Sequence, residues 1–417
     1  MPVESFIRRL LRWRPGGLAR DGARILLGLG LRTAAQAALV LLLARWLGAA
    51  GYGAFVAALA VASFFTPLAG MGMAAVIVRD GSAGRASLFA LRRRALRLWA
   101  IAGVVGVGLA VVAMHWSLPS AAPLGALFLL AVGEVAAGSL VELLARIEQA
   151  QHRAMRFGLL TAGLPLARLL ALAVLLLLAT PLPAAWMTAY GVSSVLYAAA
   201  LATVQSASLR AATRQPTPPL VHLVREGAPF ATGALAARLQ TEFNKPVLAH
   251  LSYADAGGFN VAQRLVDLVT LPLAALQEAL WPRVFAADDP RSRIRRSGAA
   301  LLGAALLGAV VLLLVAPLLP RVLGADYAPA AHALAALALL PALQLARNLG
   351  NAWMMSQGKS HALLAVYLVV AAVGVLLTLL WVPRYGLIGA VWAVYASEAA
   401  GVLSQATLGW LAGRRKR

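Results

Sequence analysis

The chain has 417 residues, 61% of them hydrophobic and only 12% charged, with a mean hydropathy of +0.80, a formal net charge of +22 and no cysteine. Repeated apolar stretches of this kind are what a hydrocarbon core of about 30 Å demands, and they exclude a soluble globular enzyme. The missing cysteines exclude disulfide frameworks and thiolate metal sites, and a basic excess spread over short loops beside apolar spans points to anionic headgroups, not nucleic acid.

In chain order, residues 1–24 form a basic segment. Phe6, Ile7, Leu10 and Leu11 recur at helical spacing with Arg8, Arg9 and Arg12 between them, which predicts a short interfacial helix and not a cleaved signal. Apolar spans follow at 25–47, 54–78, 98–117, 123–144, 157–180 and 184–206. Beyond a proline-bearing stretch at 209–227 come spans at 228–252, 257–282, 298–320, 329–355, 362–382 and 386–410, then a basic tail at 411–417. Of the 37 Lys and Arg residues, 28 fall in seven segments that alternate with nearly charge-free connections, three fall in those connections, and six remain inside spans. Because Lys and Arg are retained on the cytoplasmic side of short loops, the alternation predicts twelve helices with both termini in the cytoplasm. The longest connection is 209–227, so a catalytic domain outside the bilayer has nowhere to sit, and no enzyme activity is expected.

The halves resemble each other at an offset of about 205 residues. Gly53-Ala-Phe55 matches Gly257-Gly-Phe259, Pro67-Leu-Ala69 matches Pro272-Leu-Ala274, and Arg79 matches Arg283. Gln151-His-Arg153 sits opposite Gln357-Gly-Lys359, and Trp186 with Tyr190 opposite Trp392 with Tyr395. Six helices separate the copies, so the repeat is parallel. The expected fold is an all-α polytopic membrane protein, with two six-helix lobes at 25–208 and 228–410 related by a pseudo-two-fold axis along the membrane normal, a cleft between them and 209–227 as linker. Pro165 and Pro341 fall inside spans, and Pro246 interrupts the seventh; the matched pair Pro67 and Pro272 are the hinge candidates.

The six basic residues inside spans are Arg32, Arg168, Arg238, Lys245, Arg264 and Arg347. Each costs about 2.5 to 3.5 kcal/mol if exposed to lipid, so each must face a wet cavity or pair with an acid. Glu134, Glu142, Glu242, Asp267, Glu278 and Glu398 are the acids available. Arg238, Thr241, Glu242 and Lys245 share one helical face, on which Arg238 can pair with Glu242 and leave Lys245 over, while Arg264 can reach Asp267. Gln344, Arg347, Asn348 and Asn351 form a polar stripe without an acid, as do Arg32 and Gln36. The expected substrate-binding residues are therefore Arg32, Gln36, Lys245, Arg264, Arg347, Asn348 and Asn351. Asp267, Glu398 and Glu242 are candidates for ion or proton coupling, and Glu134 with Glu142 for neutralising Arg168. Structural ion pairs are the competing account, for Arg168, Arg238 and Arg264 above all. Gly358-Lys-Ser360 is no phosphate loop, because Trp353 stands where the earlier glycine is required, and the His residues lack metal-ligand spacing; no metal or cofactor is expected.

The run from Arg45-Trp-Leu-Gly-Ala-Ala-Gly-Tyr-Gly-Ala-Phe55 through Pro67-Leu-Ala-Gly-Met-Gly72 to Arg79, echoed from Gly257 to Arg283, resembles the Wzx-type polysaccharide flippases. Their superfamily also holds multidrug and toxin extruders and lipid II flippases. The resemblance implies a protein of the bacterial cytoplasmic membrane that exports an undecaprenyl-diphosphate-linked oligosaccharide to the outer leaflet by alternating access. Membrane lipids and polysaccharide polymerase machinery are the implied partners, and Arg32, Lys245, Arg264 and Arg347 could line the basic cleft. Such relatives often place an acid close before a basic residue in the seventh span, where this chain has Glu242 and Lys245. Two alternatives remain: a cation-coupled small-molecule exporter using Glu134, Glu142 and Asp267, and a membrane glycan polymerase or ligase, disfavoured because no large external loop is present.

Overall fold

The computed structural model describes residues 17–84, 87–118, 121–178, 180–208, 219–285, 290–357 and 360–414, and these are helical almost throughout, with no strand among them. The interfacial helix expected within residues 5–14, most of the connection at 209–227 and the last residues of the basic tail lie outside the described residues.

In the N-terminal half lie α1 (Gly17–Ser63), α2 (Thr66–Gly70), α3 (Met73–Ser82), α4 (Leu88–Ser117), α5 (Leu124–Ala131), α6 (Ser139–Ala150), α7 (Ala154–Leu178) and α8 (Pro183–Ser208). A π-helical stretch, Val132–Gly138, joins α5 to α6. The C-terminal half holds α9 (Leu220–Glu242), α10 (Asn244–Ala249), α11 (Tyr253–Phe285), α12 (Pro290–Val315), α13 (Leu319–Leu323), α14 (Ala328–Ala336), α15 (Leu340–Ser356) and α16 (Ser360–Arg414).

Two helices are far longer than one crossing needs: α1 has 47 residues and α16 has 55. At about 1.5 Å rise per residue, either would overrun a hydrocarbon core of about 30 Å twice over. Each is broken at a glycine, Gly48 (φ 68°) and Gly386 (φ 56°), where the left-handed backbone costs a Cβ-free residue little. Each long helix is thus two helical arms meeting at a glycine kink. Among the described residues seven stretches are long and apolar enough to cross a membrane, or eight if the bent pair Ala325–Ala336 and Leu340–Met355 counts as one span. The helices α9 and α11 are not among them, because their charged faces lower their hydropathy. On the perimeter, Val104, Leu177, Leu178 and Val204 stand largely exposed, as lipid-facing side chains do.

The prolines behave unequally. Pro67 opens the short α2, set between the turn at Phe64 and Phe65 and the left-handed pair Met71 and Gly72 (φ 44° and 68°). Pro272 lies in the unbroken α11 and is exposed.

Both halves use one hydrogen-bond arrangement. Gln205 on α8 donates to the Leu144 carbonyl (3.2 Å) and to Glu148 (3.3 Å) on α6; Gln405 on α16 donates to the Arg347 carbonyl (3.1 Å) and to Asn351 (2.5 Å) on α15. Between the halves, α1 crosses α11 with backbones in contact. A Cβ on Gly53 would fall 1.6 Å from the Tyr253 carbonyl oxygen, and one on Gly257 would fall 2.4 Å from that of Ala49. Each glycine therefore faces the residue four before the other. Around the crossing, Asn260 donates to the Tyr52 hydroxyl (2.6 Å), Tyr327 to the Ala44 carbonyl (2.9 Å), and Arg45 to the Val322 carbonyl. Tyr52, Phe55, Trp186, Phe259 and Tyr327, from both halves, are buried in one apolar cluster here. At the opposite, arginine-rich end a smaller cluster joins Met73, Val76, Ile77, Leu91 and Leu144 to Leu223 of α9.

Candidate functional site: a charged cavity between the halves

Between these two ends lies a cavity of about 850 Å³, walled by Thr66, Pro67 and Arg79 of α2 and α3, Ser139, Glu142 and Arg146 of α6, Arg238, Thr241 and Glu242 of α9, and Gln263, Arg264 and Asp267 of α11. Helical periodicity supplies the lining: Ser139, Glu142 and Arg146, or Arg238, Thr241 and Glu242, recur three and four residues apart and so share a face. Two of the walls come from each half.

The charges are shared out by burial. Lys245 is fully enclosed, and its ammonium donates to Glu242. The second oxygen of Glu242 accepts from Arg264 (3.4 Å), which also bonds Asp267 (3.2 Å) from a position half open to the cavity. Arg146 reaches Glu142 (3.4 Å) and Gln149 (2.7 Å). Arg238 makes no ion pair among the described residues. The expected pairing of Arg238 with Glu242, leaving Lys245 over, is therefore corrected: a buried ammonium without a partner costs several kcal/mol, so Lys245 takes the acid and Arg238 is left to the cavity.

Of the expected substrate-binding residues, the structure brings Arg264 to the cavity wall, with Asp267 and Glu242 beside it. Lys245 sits behind that wall. Arg32 and Gln36 are exposed on the first arm of α1, and Arg32 lies within the electrostatic reach of Glu142, Arg146, Arg168 and Arg238, with no ion pair of its own among the described residues. The polar stripe of α15 is placed elsewhere: Arg347 is clamped by Glu398 (2.5 and 3.3 Å), to which Gln240 also donates (2.9 Å), and Asn351 bonds Tyr367 (3.3 Å) and Gln405. Asn348, half-buried on that stripe, is likewise absent from the cavity wall. In the N-terminal half, Arg168 bonds Glu134 (3.3 Å) and Ser194 (3.0 Å) and lies 3.8 Å from the centre of the Tyr190 ring, whose hydroxyl donates to Glu134. Glu142 turns instead to the cavity.

By sequence Arg79 and Arg146 are loop charges that orient the chain, whereas the structure puts both, with Arg238, on the cavity wall; the spacing of Ser139, Glu142 and Arg146 at the end of the fourth span is the signal that marks them.

This many-crossing helical bundle with a charged cavity between its halves has the fold of solved lipid flippases and multidrug exporters. The lipid II flippase MurJ, solved in an inward closed conformation, superposes with a TM-score of 0.74 at 11% identity, over 91% of this chain and 86% of that one. A MATE multidrug transporter, DinF-BH, gives 0.63 at 15% identity over 93% and 94%. A MOP superfamily transporter from Pyrococcus furiosus gives 0.57 at 16% identity, with the same coverage. The chain belongs to the polysaccharide biosynthesis protein family, whose model matches residues 18–287. Comparison with curated proteins gave no match.

Proposed function

We infer that the protein is a flippase carrying a polyprenyl-diphosphate-linked oligosaccharide from the inner to the outer leaflet of the bacterial cytoplasmic membrane, for surface polysaccharide synthesis. One observation carries this reading: Arg146, Arg238 and Arg264 line a cavity between the halves, and Arg238 has no acid partner among the described residues. Guanidinium groups grip a diphosphate by forked, charge-assisted hydrogen bonds, while a polyprenyl tail stays in lipid. Arg32 on α1, without an ion pair among the described residues, adds a further contact from the N-terminal half. Residues 25–208 and 228–410 act as the two lobes, 209–227 as their linker, and the arginine-rich end with both termini faces the cytoplasm. Moving about two negative charges out of an inside-negative compartment at ~100 mV releases roughly 4 to 5 kcal/mol if the cargo crosses alone, so no ATPase domain is needed. Asp267, half-open to the cavity, is the candidate for proton coupling; Glu398 and Glu242 serve their cations first.

The test is reconstitution into liposomes with a fluorescent polyprenyl-diphosphate glycan, scored by leaflet accessibility. Transfer by the parent protein and its loss in Arg264→Ala are expected; equal transfer by protein-free liposomes and the parent would defeat the reading. The acids Glu142, Glu242 and Asp267 favour one second reading, export of small organic cations. Uptake of a cationic dye that is driven by a pH gradient and lost in Asp267→Asn would establish it.

A further inference from the structure

The two ends of the cavity are closed by different chemistry. The α1–α11 end is sealed by a backbone crossing and by the buried neutral bonds of Asn260 to Tyr52 and Tyr327 to Ala44, with the exposed bond of Arg45 to Val322 at its edge. The arginine-rich end is closed where α3 meets α9. There a Cβ on Gly72 would fall 2.1 Å from the Gly227 carbonyl oxygen, and one on Gly227 would fall 2.2 Å from that of Met71. Below this contact Arg79 bonds Glu226 across the two halves. Arg79 also holds Asp80 (2.8 Å), and the other oxygen of Glu226 faces His222 (2.9 Å). The pair is partly exposed, at 39% and 28%. Arg79 is at the same time part of the cavity wall. The foot of α9 is compliant, because Pro229, inside the helix, cannot donate to the Arg225 carbonyl.

We propose that Arg79 and Glu226 form a latch across the arginine-rich mouth, and that a phosphate-bearing headgroup opens it by taking the Arg79 guanidinium from Glu226. The closing bond is the weak member of the assembly, an exposed ion pair that water and salt loosen, whereas the opposite seal is buried. A phosphate offers Arg79 the same forked geometry as a carboxylate with more charge, so the exchange favours the ligand once it is in place. Arg79 would thus act as both bolt and first contact, coupling admission to recognition. The trigger rests on the anionic cargo proposed above; the latch itself does not.

The chain lacks cysteine, so a single Ala234→Cys, exposed on the cavity wall, reports on the mouth through its reaction with a membrane-impermeant maleimide in proteoliposomes. Glu226→Gln should raise the labelling rate from the arginine-rich face about two- to fivefold, the range that loss of an exposed ion pair permits, and leave the opposite face unchanged. Raised salt should do the same in the parent and nothing further in Glu226→Gln. Inorganic diphosphate, against sulfate at matched ionic strength, should speed labelling in the parent only. Unchanged labelling in Glu226→Gln overturns the latch. A full Glu226→Gln and salt effect with no response to diphosphate overturns the anionic trigger alone; the cargo reading falls only if the leaflet-transfer assay shows no transfer by the parent.

Discussion

Glu242 is the residue on which the C-terminal charges balance, since one carboxylate serves a buried ammonium and a cavity guanidinium. Removing it should be far worse than removing Lys245. Glu242→Gln leaves Lys245 enclosed and unpaired, at a cost of about 3 to 5 kcal/mol, while Lys245→Met leaves Glu242 its bond to Arg264. Thermal melts of the purified variants check the order. The same logic recasts Arg347: its alanine variant strands buried Glu398 and should lose folded protein, and Arg347→Leu with Glu398→Leu should recover it. Arg264→Ala should fold, because Asp267 keeps access to water, yet fail in transport. Spacing alone disclosed the pairing of Arg264 with Asp267, three residues apart on one helix. It could not rank three cations around one acid, because the ranking depends on how deeply each is enclosed, and enclosure is decided by neighbouring helices.

Among the elements, the crossing of α1 and α11 fixes how closely the halves approach. Its two glycines were visible as a matched pair in the sequence; that they touch was not, since contact depends on the angle at which distant helices meet. Gly53→Ala should push the helices apart at a cost of about 1 to 3 kcal/mol and open the sealed end. Ala256, wholly buried beside the crossing, supplies the reporter: Ala256→Cys should resist maleimide in the parent and react in the Gly53→Ala background. The corners at Gly48 and Gly386 fell in or beside connections already marked by the ends of apolar runs. The matched prolines differ in setting. Pro67 occupies a real interruption, whereas α11 passes through Pro272 unbroken, because a helix can absorb one missing donor by bending slightly.

At the scale of the whole molecule, apolar runs and alternating charge were enough to anticipate an all-helical, many-crossing bundle, because lipid leaves the backbone no other economical choice here. The cavity was less legible, since its walls are drawn from five helices of both halves of the chain. With the arginine-rich end cytoplasmic, cysteines at Ala50, Leu251 and Ala325, all exposed, should label from outside intact cells, and one at Ser87 should not. Labelling in the reverse pattern would invert the orientation. The π-helical stretch Val132–Gly138 governs one wall of that cavity. A π turn holds roughly one residue more than an α turn, and each residue of α-helix turns the face by about 100°. Deleting Ala136 should tighten the stretch to ordinary helix and swing Glu142 and Arg146 around the axis, away from the chamber. The placement of those two charges is thus encoded upstream of them, in the phase that one surplus residue sets.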